Sequence, residues 1–338
     1  MPANERELAD IKRLYELNDA VYTSMLQKYA EAEISMASNL PDNSVIERAH
    51  MVGDSPIAPK KKVNIILGIF MGFIIPISIM IFKEVNHEKI LEEREIEKYS
   101  SYSVVGSVYH NDTKSLLPML DAPQSAISES IRSIRANLQY YKNNNNNQLI
   151  LLTSSTSREG KSLTSLNLAA SYAIGNYKTL LIGFDLRKPV LNDYLEIKST
   201  LGVSSYLINA ATLDDIIVKT EHPSLDYIPS GAIPPNPSEL IDSMATKAFL
   251  EHVRGLYDHI IVDTAPLGLV ADSYSLMQYA DVCLFLVRRN VTPISLFAKV
   301  MEEVEFKGIT NLAHIYNDVS GKERSHGYKY GYYHKSKK

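Results

Sequence analysis

The fold of this chain is indicated by residues 148–173, which read QLILLTSSTSREGKSLTSLNLAASYA. Gln148–Thr153 is a short apolar run that predicts a buried strand, and Ser162–Ala173 has the apolar spacing of a helix. Between them lies Ser155–Ser162, a polar loop with the sequence STSREGKS. Backbone N–H groups in such a loop, together with the helix N-terminus, surround phosphate groups, so the stretch predicts a P-loop.

The residue types in this loop suit ATP bound with Mg²⁺. Lys161 would reach the β- and γ-phosphates, and the hydroxyl of Ser162 would be a Mg²⁺ ligand. Ser155 stands where the general pattern has its first glycine, which is a departure from it. We expect the phosphate-binding residues to be Ser155, Thr156, Ser157, Arg158, Glu159, Gly160, Lys161, Ser162 and Leu163.

Two further apolar runs end at acidic residues. Leu180–Arg187 reads LLIGFDLR, and Ile260–Thr264 reads IIVDT. Asp185 and Asp263 would follow buried strands beside the P-loop, where a carboxylate can hold the Mg²⁺ shell. An aspartate after a strand is often only a turn residue, so the order of all three motifs carries the prediction. We expect the catalytic residues to be Lys161, Asp185, Arg187 and Asp263, and the Mg²⁺ ligands to be Ser162, Asp185 and Asp263.

Apolar runs alternate with amphipathic stretches over residues 121–320. This alternation predicts an α/β domain with a mostly parallel sheet and helices on both faces. The predicted strands after the P-loop strand are Leu180–Phe184, Leu225–Pro229, His259–Asp263, Val282–Val287 and Ala313–Tyr316.

The first 120 residues have a different character. Residues 1–59 are predicted to form a helix over 5–38 and a proline-containing linker. Val63–Phe82 carries no charge and is long enough to cross a bilayer as a helix, so residues 60–83 are predicted to span a membrane. Residues 84–120 are predicted to be a membrane-proximal linker, with Lys83–Lys98 charged and compatible with a helix.

Composition excludes several classes of protein. The single cysteine, Cys283, excludes a disulfide framework and a cysteine-based zinc site. A net charge of -4 over 338 residues gives no reason to expect nucleic-acid binding. Residues 321–338 have no apolar period and are predicted to be a disordered tail.

These motifs together resemble the bacterial tyrosine kinases that are fused to, or partnered with, polysaccharide co-polymerases. The P-loop is similar to their Walker A motif, Leu180–Arg187 to Walker A′, and Ile260–Asp263 to Walker B. Pro234–Leu240 (PPNPSEL) and Asp272 also match family positions. The resemblance implies an oligomerisation motif E-x-x-R-x-x-R at Glu129, Arg132 and Arg135, and autophosphorylation at Tyr328, Tyr330, Tyr332 and Tyr333.

The resemblance further implies an ATP- and Mg²⁺-dependent protein-tyrosine autokinase that regulates capsular or exopolysaccharide chain length and export. Its expected partners are other copies of itself in a ring, the polysaccharide polymerisation and export machinery, and a cognate phosphatase. We expect one pass through the inner (plasma) membrane. Lys60–Lys62 would favour the opposite orientation by the positive-inside rule, but ATP requires a cytoplasmic kinase domain. In the family a first membrane helix and a larger domain precede this region, so we expect a C-terminal portion or a short member.

Walker A′ departs from the family pattern. The family has two aspartates separated by one residue; Asp185 matches the second, and Gly183 replaces the first, which is the family's base toward the tyrosine hydroxyl. Gly183 therefore favours an alternative, an ATP-binding oligomeric regulator without catalysis.

A third reading, a septum-site type ATPase of the same fold, would require a second lysine at the position of Thr156.

Overall fold

The structure, a computed structural model, describes residues 3–38, 47, 60–85, 88–141 and 147–320. It divides into two compact units, Met1–Ile81 and Phe82–Lys338. Almost all of the predicted linker over 39–59 lies outside the described residues. The predicted tail and its tyrosines, Tyr328, Tyr330, Tyr332 and Tyr333, also lie outside them.

The first unit is helical. Helix α1 is Ala3–Ser38, and helix α2 is Lys61–Val85 and continues into the second unit. Among the described residues, α2 is the one helix long and apolar enough to cross a membrane, over Lys61–Met80, where the mean hydropathy is 2.3. The large apolar side chains from Val63 to Met80 are exposed, as a lipid-facing helix requires. The predicted helical region with a candidate membrane helix is confirmed.

The second unit contains an eight-stranded sheet of order β1-β8-β7-β2-β6-β3-β5-β4. All neighbouring strands are parallel except β4 and β5. The predicted α/β fold with a mostly parallel sheet is confirmed. The strands are β1 (Val104–Tyr109), β2 (Gln148–Ser154), β3 (Thr179–Gly183), β4 (Val218–Lys219), β5 (Leu225–Ile228), β6 (His259–Asp263), β7 (Val282–Arg288) and β8 (Leu312–Val319).

Helices cover both faces of this sheet, so its central strands are apolar along their whole length. Every residue of β2 is buried; Leu149 and Leu151 face one core, and Ile150 and Leu152 face the other. The helices of the second unit are α3 (Glu93–Tyr99), α4 (Pro118–Asp121), α5 (Ala126–Leu138), α6 (Lys161–Ile174), α7 (Leu191–Tyr194), α8 (Val203–Leu207), α9 (Leu213–Ile216), α10 (Pro237–Ile241), α11 (Met244–Arg254), α12 (Asp272–Met277) and α13 (Ile294–Phe306).

The segment predicted as a linker, residues 84–120, contributes to the α/β unit. Strand β1 pairs with β8 at the edge of the sheet, and Ile90 and Ile96 are fully buried in the core. Within the stretch described as compatible with a helix, Lys89 forms a bridge with Pro293, and helix α3 begins at Glu93. The sequence did not predict that this segment packs onto the α/β unit, because Ile90 and Ile96 stand among many charged residues and form no clear apolar period.

Candidate nucleotide-binding site

The predicted P-loop connects β2 to the N-terminus of α6. Gly160 occupies the N-cap of α6 with φ +95, a left-handed conformation that favours glycine. The backbone N–H of Thr156 donates to Glu159 Oε2 at 3.1 Å, and Ser154 Oγ donates to the Thr156 carbonyl at 2.8 Å. These short-range bonds fix the loop in a compact turn around the start of the helix.

Side chains in or just after β7 and β8 form hydrogen bonds with the P-loop. Glu159 is fully buried, and Thr292 donates to its Oε1 at 2.5 Å. Burial raises the pKa of Glu159. Asn317, near the end of β8, donates from Nδ2 to the Glu159 carbonyl at 2.7 Å, and Arg288 donates to the Arg158 carbonyl at 2.7 Å. A side chain at Gly160 would meet Asn317 Nδ2 at 2.3 Å, so the loop fits its support only with glycine there.

Lys161, Ser162 and Asp263 lie together where β2 and β6 end. Ser162 Oγ donates to Asp263 Oδ2 at 2.6 Å, and Lys161 is only 8% exposed. Burial raises the pKa of Asp263 to about 7, although Lys161 and the Ser162 hydrogen bond act in the opposite direction. Ionisation of the buried Asp263 carboxyl is unfavourable unless a cation lies beside it. A bound metal ion would supply that positive charge.

The donor set fits Mg²⁺ bound together with phosphate. Asp263 Oδ1 is buried and has no hydrogen-bond partner among the described residues, so one carboxylate oxygen beside the Ser162 hydroxyl is not committed to a hydrogen bond. Hydroxyl and carboxylate oxygens are the ligand types that Mg²⁺ prefers. No group of three or more His, Cys, Asp or Glu side chains among the described residues could hold a metal alone. Phosphate and water oxygens would therefore have to complete the shell.

The loop after β3 carries Asp185 and Arg187. The backbone N–H groups of Arg187 and Lys188 donate to Asp185 Oδ1 at 3.1 and 2.9 Å. The guanidinium of Arg187, which the sequence predicted as a catalytic residue, forms an ion pair with Asp272, with Nε 2.6 Å from Oδ2. Ser238 accepts a further hydrogen bond from Arg187 Nη2 at 2.8 Å.

A cavity of about 500 Å³ brings many predicted residues together. The predicted residues that do not line it are Ser155, Thr156, Glu159 and Asp263, and the side chains of Ser155, Glu159 and Asp263 are buried. The lining residues are Ser157, Arg158, Gly160, Lys161, Ser162, Leu163, Asp185, Arg187, Lys188, Val190, Tyr194, Ala265, Pro266, Leu269, Val270 and Arg288.

The predicted oligomerisation residues lie on α5. Arg132 Nη1 is 2.5 Å from Glu129 Oε1, and Arg135 donates to the backbone carbonyl of Ser171 on α6. Glu129 is exposed, whereas Arg132 and Arg135 are partly buried. Arg135 thus also connects two helices within the chain.

Sequence reasoning missed the residues that support the site. Thr292, Asn317 and Arg288 lie near the C-terminal ends of β7 and β8, more than 100 residues after the P-loop. The sequence did contain a signal for them, because polar residues follow the apolar runs at the ends of β7 and β8. Ligands of a parallel sheet bind at the C-terminal ends of its strands.

Both the helical part and the α/β part of the chain match known protein families. Residues 3–85 match the family described as "G-rich domain on putative tyrosine kinase", and residues 148–307 match the family described as "AAA domain". Tyrosine-protein kinase ptk of Acinetobacter johnsonii is 29% identical over 336 residues, which are 94% of this chain and 46% of the relative. This chain therefore spans about half the length of such relatives.

A shorter protein and an isolated kinase domain match with higher coverage of their own length. Tyrosine-protein kinase CpsD of Streptococcus agalactiae is 34% identical over 200 residues, which are 59% of this chain and 85% of the relative. The kinase domain of the Escherichia coli tyrosine kinase ETK aligns with a TM-score of 0.63 at 27% identity. That alignment covers 72% of this chain and 100% of the ETK domain.

Proposed function

The chain belongs to the bacterial tyrosine kinases of the capsule and exopolysaccharide type, and on that premise we propose that it is an ATP- and Mg²⁺-dependent protein-tyrosine autokinase. One observation carries the proposal. Ser162 Oγ lies 2.6 Å from Asp263 Oδ2, the other oxygen of that carboxylate is buried without a partner among the described residues, and Lys161 and Ser162 both line the cavity. This arrangement supports binding of the β- and γ-phosphates with a divalent cation.

In the proposed reaction the tyrosine hydroxyl loses its proton to water as its oxygen attacks the γ-phosphorus of ATP, the bond between the γ-phosphorus and the bridging β-phosphate oxygen breaks, and ADP leaves. Lys161 would neutralise charge on the transferred group, while Ser162, Asp185 and Asp263 would hold Mg²⁺, which would supply further charge neutralisation when bound. Catalysis of this kind depends mainly on positioning and electrostatics, so it does not require a strong base.

We propose the tail tyrosines as acceptors, in a neighbouring copy of the chain. Each phosphate would add about -1.5 to -2 charges. In a ring joined through Glu129, Arg132 and Arg135, this charge would repel neighbouring tails and loosen the assembly. Such a cycle would regulate polysaccharide chain length and export, with the α/β unit in the cytoplasm and a phosphatase resetting it.

Gly183 supports a second candidate, an ATP-binding regulator without catalysis. It ends β3 directly opposite Asp263 in the parallel register, where the family has an aspartate. A Cβ added there would meet the Tyr227 hydroxyl at 3.2 Å. The chain therefore has no carboxylate at the position of the expected base.

The two candidates are distinguished by phosphotyrosine formation on the full chain in detergent with Mg-ATP. Lys161→Met and a variant with Tyr328, Tyr330, Tyr332 and Tyr333 changed to Phe serve as comparisons. We expect a signal in wild type that falls about 100-fold or more in Lys161→Met and is lost in the tail variant. Binding of ATP without phosphotyrosine would support the regulator instead.

A further inference from the structure

The segment PPNPSEL over Pro234–Leu240 contributes no residue to the lining of the cavity. Its Ser238 is at the second position of α10, and its hydroxyl lies between two charged side chains. Ser238 Oγ accepts from Arg187 Nη2 at 2.8 Å and donates to Asp272 Oδ1 at 2.8 Å. One serine thus connects the loop after β3 to the start of α12.

Asp272 is the anchor of this network. Its side chain is 4% exposed and also accepts from Arg187 Nε at 2.6 Å and Nη2 at 3.2 Å. Burial alone would raise the pKa of Asp272, but the hydrogen bonds from Arg187 and Ser238 outweigh it and lower the pKa. A paired, hydrogen-bonded geometry of this kind fixes a guanidinium in one orientation.

The Arg187 side chain is fixed, and its backbone holds Asp185. The N–H groups of Arg187 and Lys188 both donate to Asp185 Oδ1, so the position of this short turn determines where Oδ2 points. A change that releases the guanidinium would let the turn and the carboxylate move together.

We propose that Ser238 and Asp272 are positioning residues that act through Arg187 to orient Asp185 toward Mg²⁺ bound with nucleotide. The inference rests on the proposed function only in assigning Asp185 to that cation. Neither Ser238 nor Asp272 lines the cavity. Their effect is therefore on metal affinity, in the way that partners of metal ligands act in other proteins.

The test is a Mg²⁺ titration of nucleotide binding to the full chain, followed with a fluorescent ATP analogue. We expect Ser238→Ala to raise the Mg²⁺ concentration for half-maximal binding about tenfold, and Asp272→Asn to raise it by about tenfold to 100-fold. Nucleotide affinity in EDTA should stay unchanged, because the network touches no phosphate-binding group of the P-loop. Ser238→Thr keeps the hydroxyl and should behave as wild type.

Ser199→Ala is the matched control. Ser199 Oγ also makes two hydrogen bonds, to the carbonyl and from the N–H of Leu201, but none to the network. Equal Mg²⁺ curves for Ser238→Ala and Ser199→Ala would overturn the inference. If Asp272→Asn does not fold, the comparison of Ser238→Ala with Ser238→Thr decides. Wild type that binds nucleotide without any Mg²⁺ dependence would instead overturn the proposed function.

Discussion

The P-loop and the loop after β3 face the same cavity, but they are held in different ways. The P-loop is held by buried hydrogen bonds. The Glu159 carboxylate accepts a hydrogen bond from the Thr292 hydroxyl, and the Glu159 backbone carbonyl accepts one from the Asn317 amide. The loop after β3 depends on Arg187, which is 40% exposed in its ion pair with Asp272. Buried hydrogen bonds are costly to break, whereas a half-exposed ion pair contributes less.

The loop proposed to bind phosphate is therefore supported differently from the loop proposed to act in phosphoryl transfer. The loop that would hold the phosphates is supported by buried hydrogen bonds, while the loop that would supply the Asp185 carboxylate is held through one partly exposed side chain, Arg187, and follows Gly183, where the family has an aspartate. In the proposed kinase, a change in the loop after β3 would alter the transfer rate more than the nucleotide affinity.

The largest effect is expected from Gly183→Asp. The added Cβ meets the Tyr227 hydroxyl at 3.2 Å and the Ser230 N–H at 3.4 Å, so neighbours need shift by only a few tenths of an ångström. A carboxylate there would act as a general base, and we expect tyrosine phosphorylation to rise on the order of 100-fold. The measurement is the initial rate of phosphotyrosine formation at saturating Mg-ATP.

Gly183→Asn has nearly the same size without the charge and should leave the rate close to that of wild type. An equal rise in both variants would show that packing, rather than a base, limits the reaction. No rise in either would place the limiting step elsewhere than in the loop after β3.

A smaller effect is expected from Gly160→Ala, which disturbs the P-loop. Its φ of +95 disfavours alanine, and the new Cβ would displace Asn317 Nδ2 from the Glu159 carbonyl. We expect the free energy of unfolding to fall by about 1–3 kcal/mol, with weaker nucleotide binding. Urea denaturation measures the first change, and fluorescence titration with nucleotide measures the second.

Gly255→Ala is the matched control for this variant. Gly255 has φ -71 at the end of α11, and its Cβ would meet only the His252 carbonyl at 3.4 Å. Alanine there should be neutral or slightly stabilising. If both variants lose the same stability, the P-loop is not specially constrained.

The smallest effect at neutral pH concerns His314 in β8, the strand that also carries Asn317. Burial lowers the pKa of His314 to about 4, below the usual value of 6.5. Between these values the unfolded chain binds the proton and the folded chain does not. Stability should therefore fall as pH drops through this range, by up to about 1.4 kcal/mol per pH unit.

His314→Gln should flatten that dependence, as measured by urea denaturation from pH 7 to 4. Comparison of the two slopes isolates His314, because Asp263, whose pKa burial raises to about 7, is present in both proteins. Parallel curves would contradict the prediction.

Local patterns predicted much of this molecule. The apolar runs gave the central strands, and His259–Asp263 matched β6 residue for residue. The P-loop residues could be named because phosphate binding depends on a contiguous loop before a helix. Edge strand β1 was not anticipated, since its register with β8 depends on a partner about 200 residues away.

The sequence by itself determined that the chain has an α/β unit with a P-loop, two strand-end aspartates beside it, and a helix able to cross a membrane. Each of these is set by neighbouring residues, through periodicity, glycine conformation and the placement of polar groups. Only the tertiary structure decided that Arg187 pairs with Asp272 and Ser238, and that Thr292 and Asn317 support the loop. Such contacts join residues far apart in the chain, and they exist only once the sheet has brought the ends of its strands together.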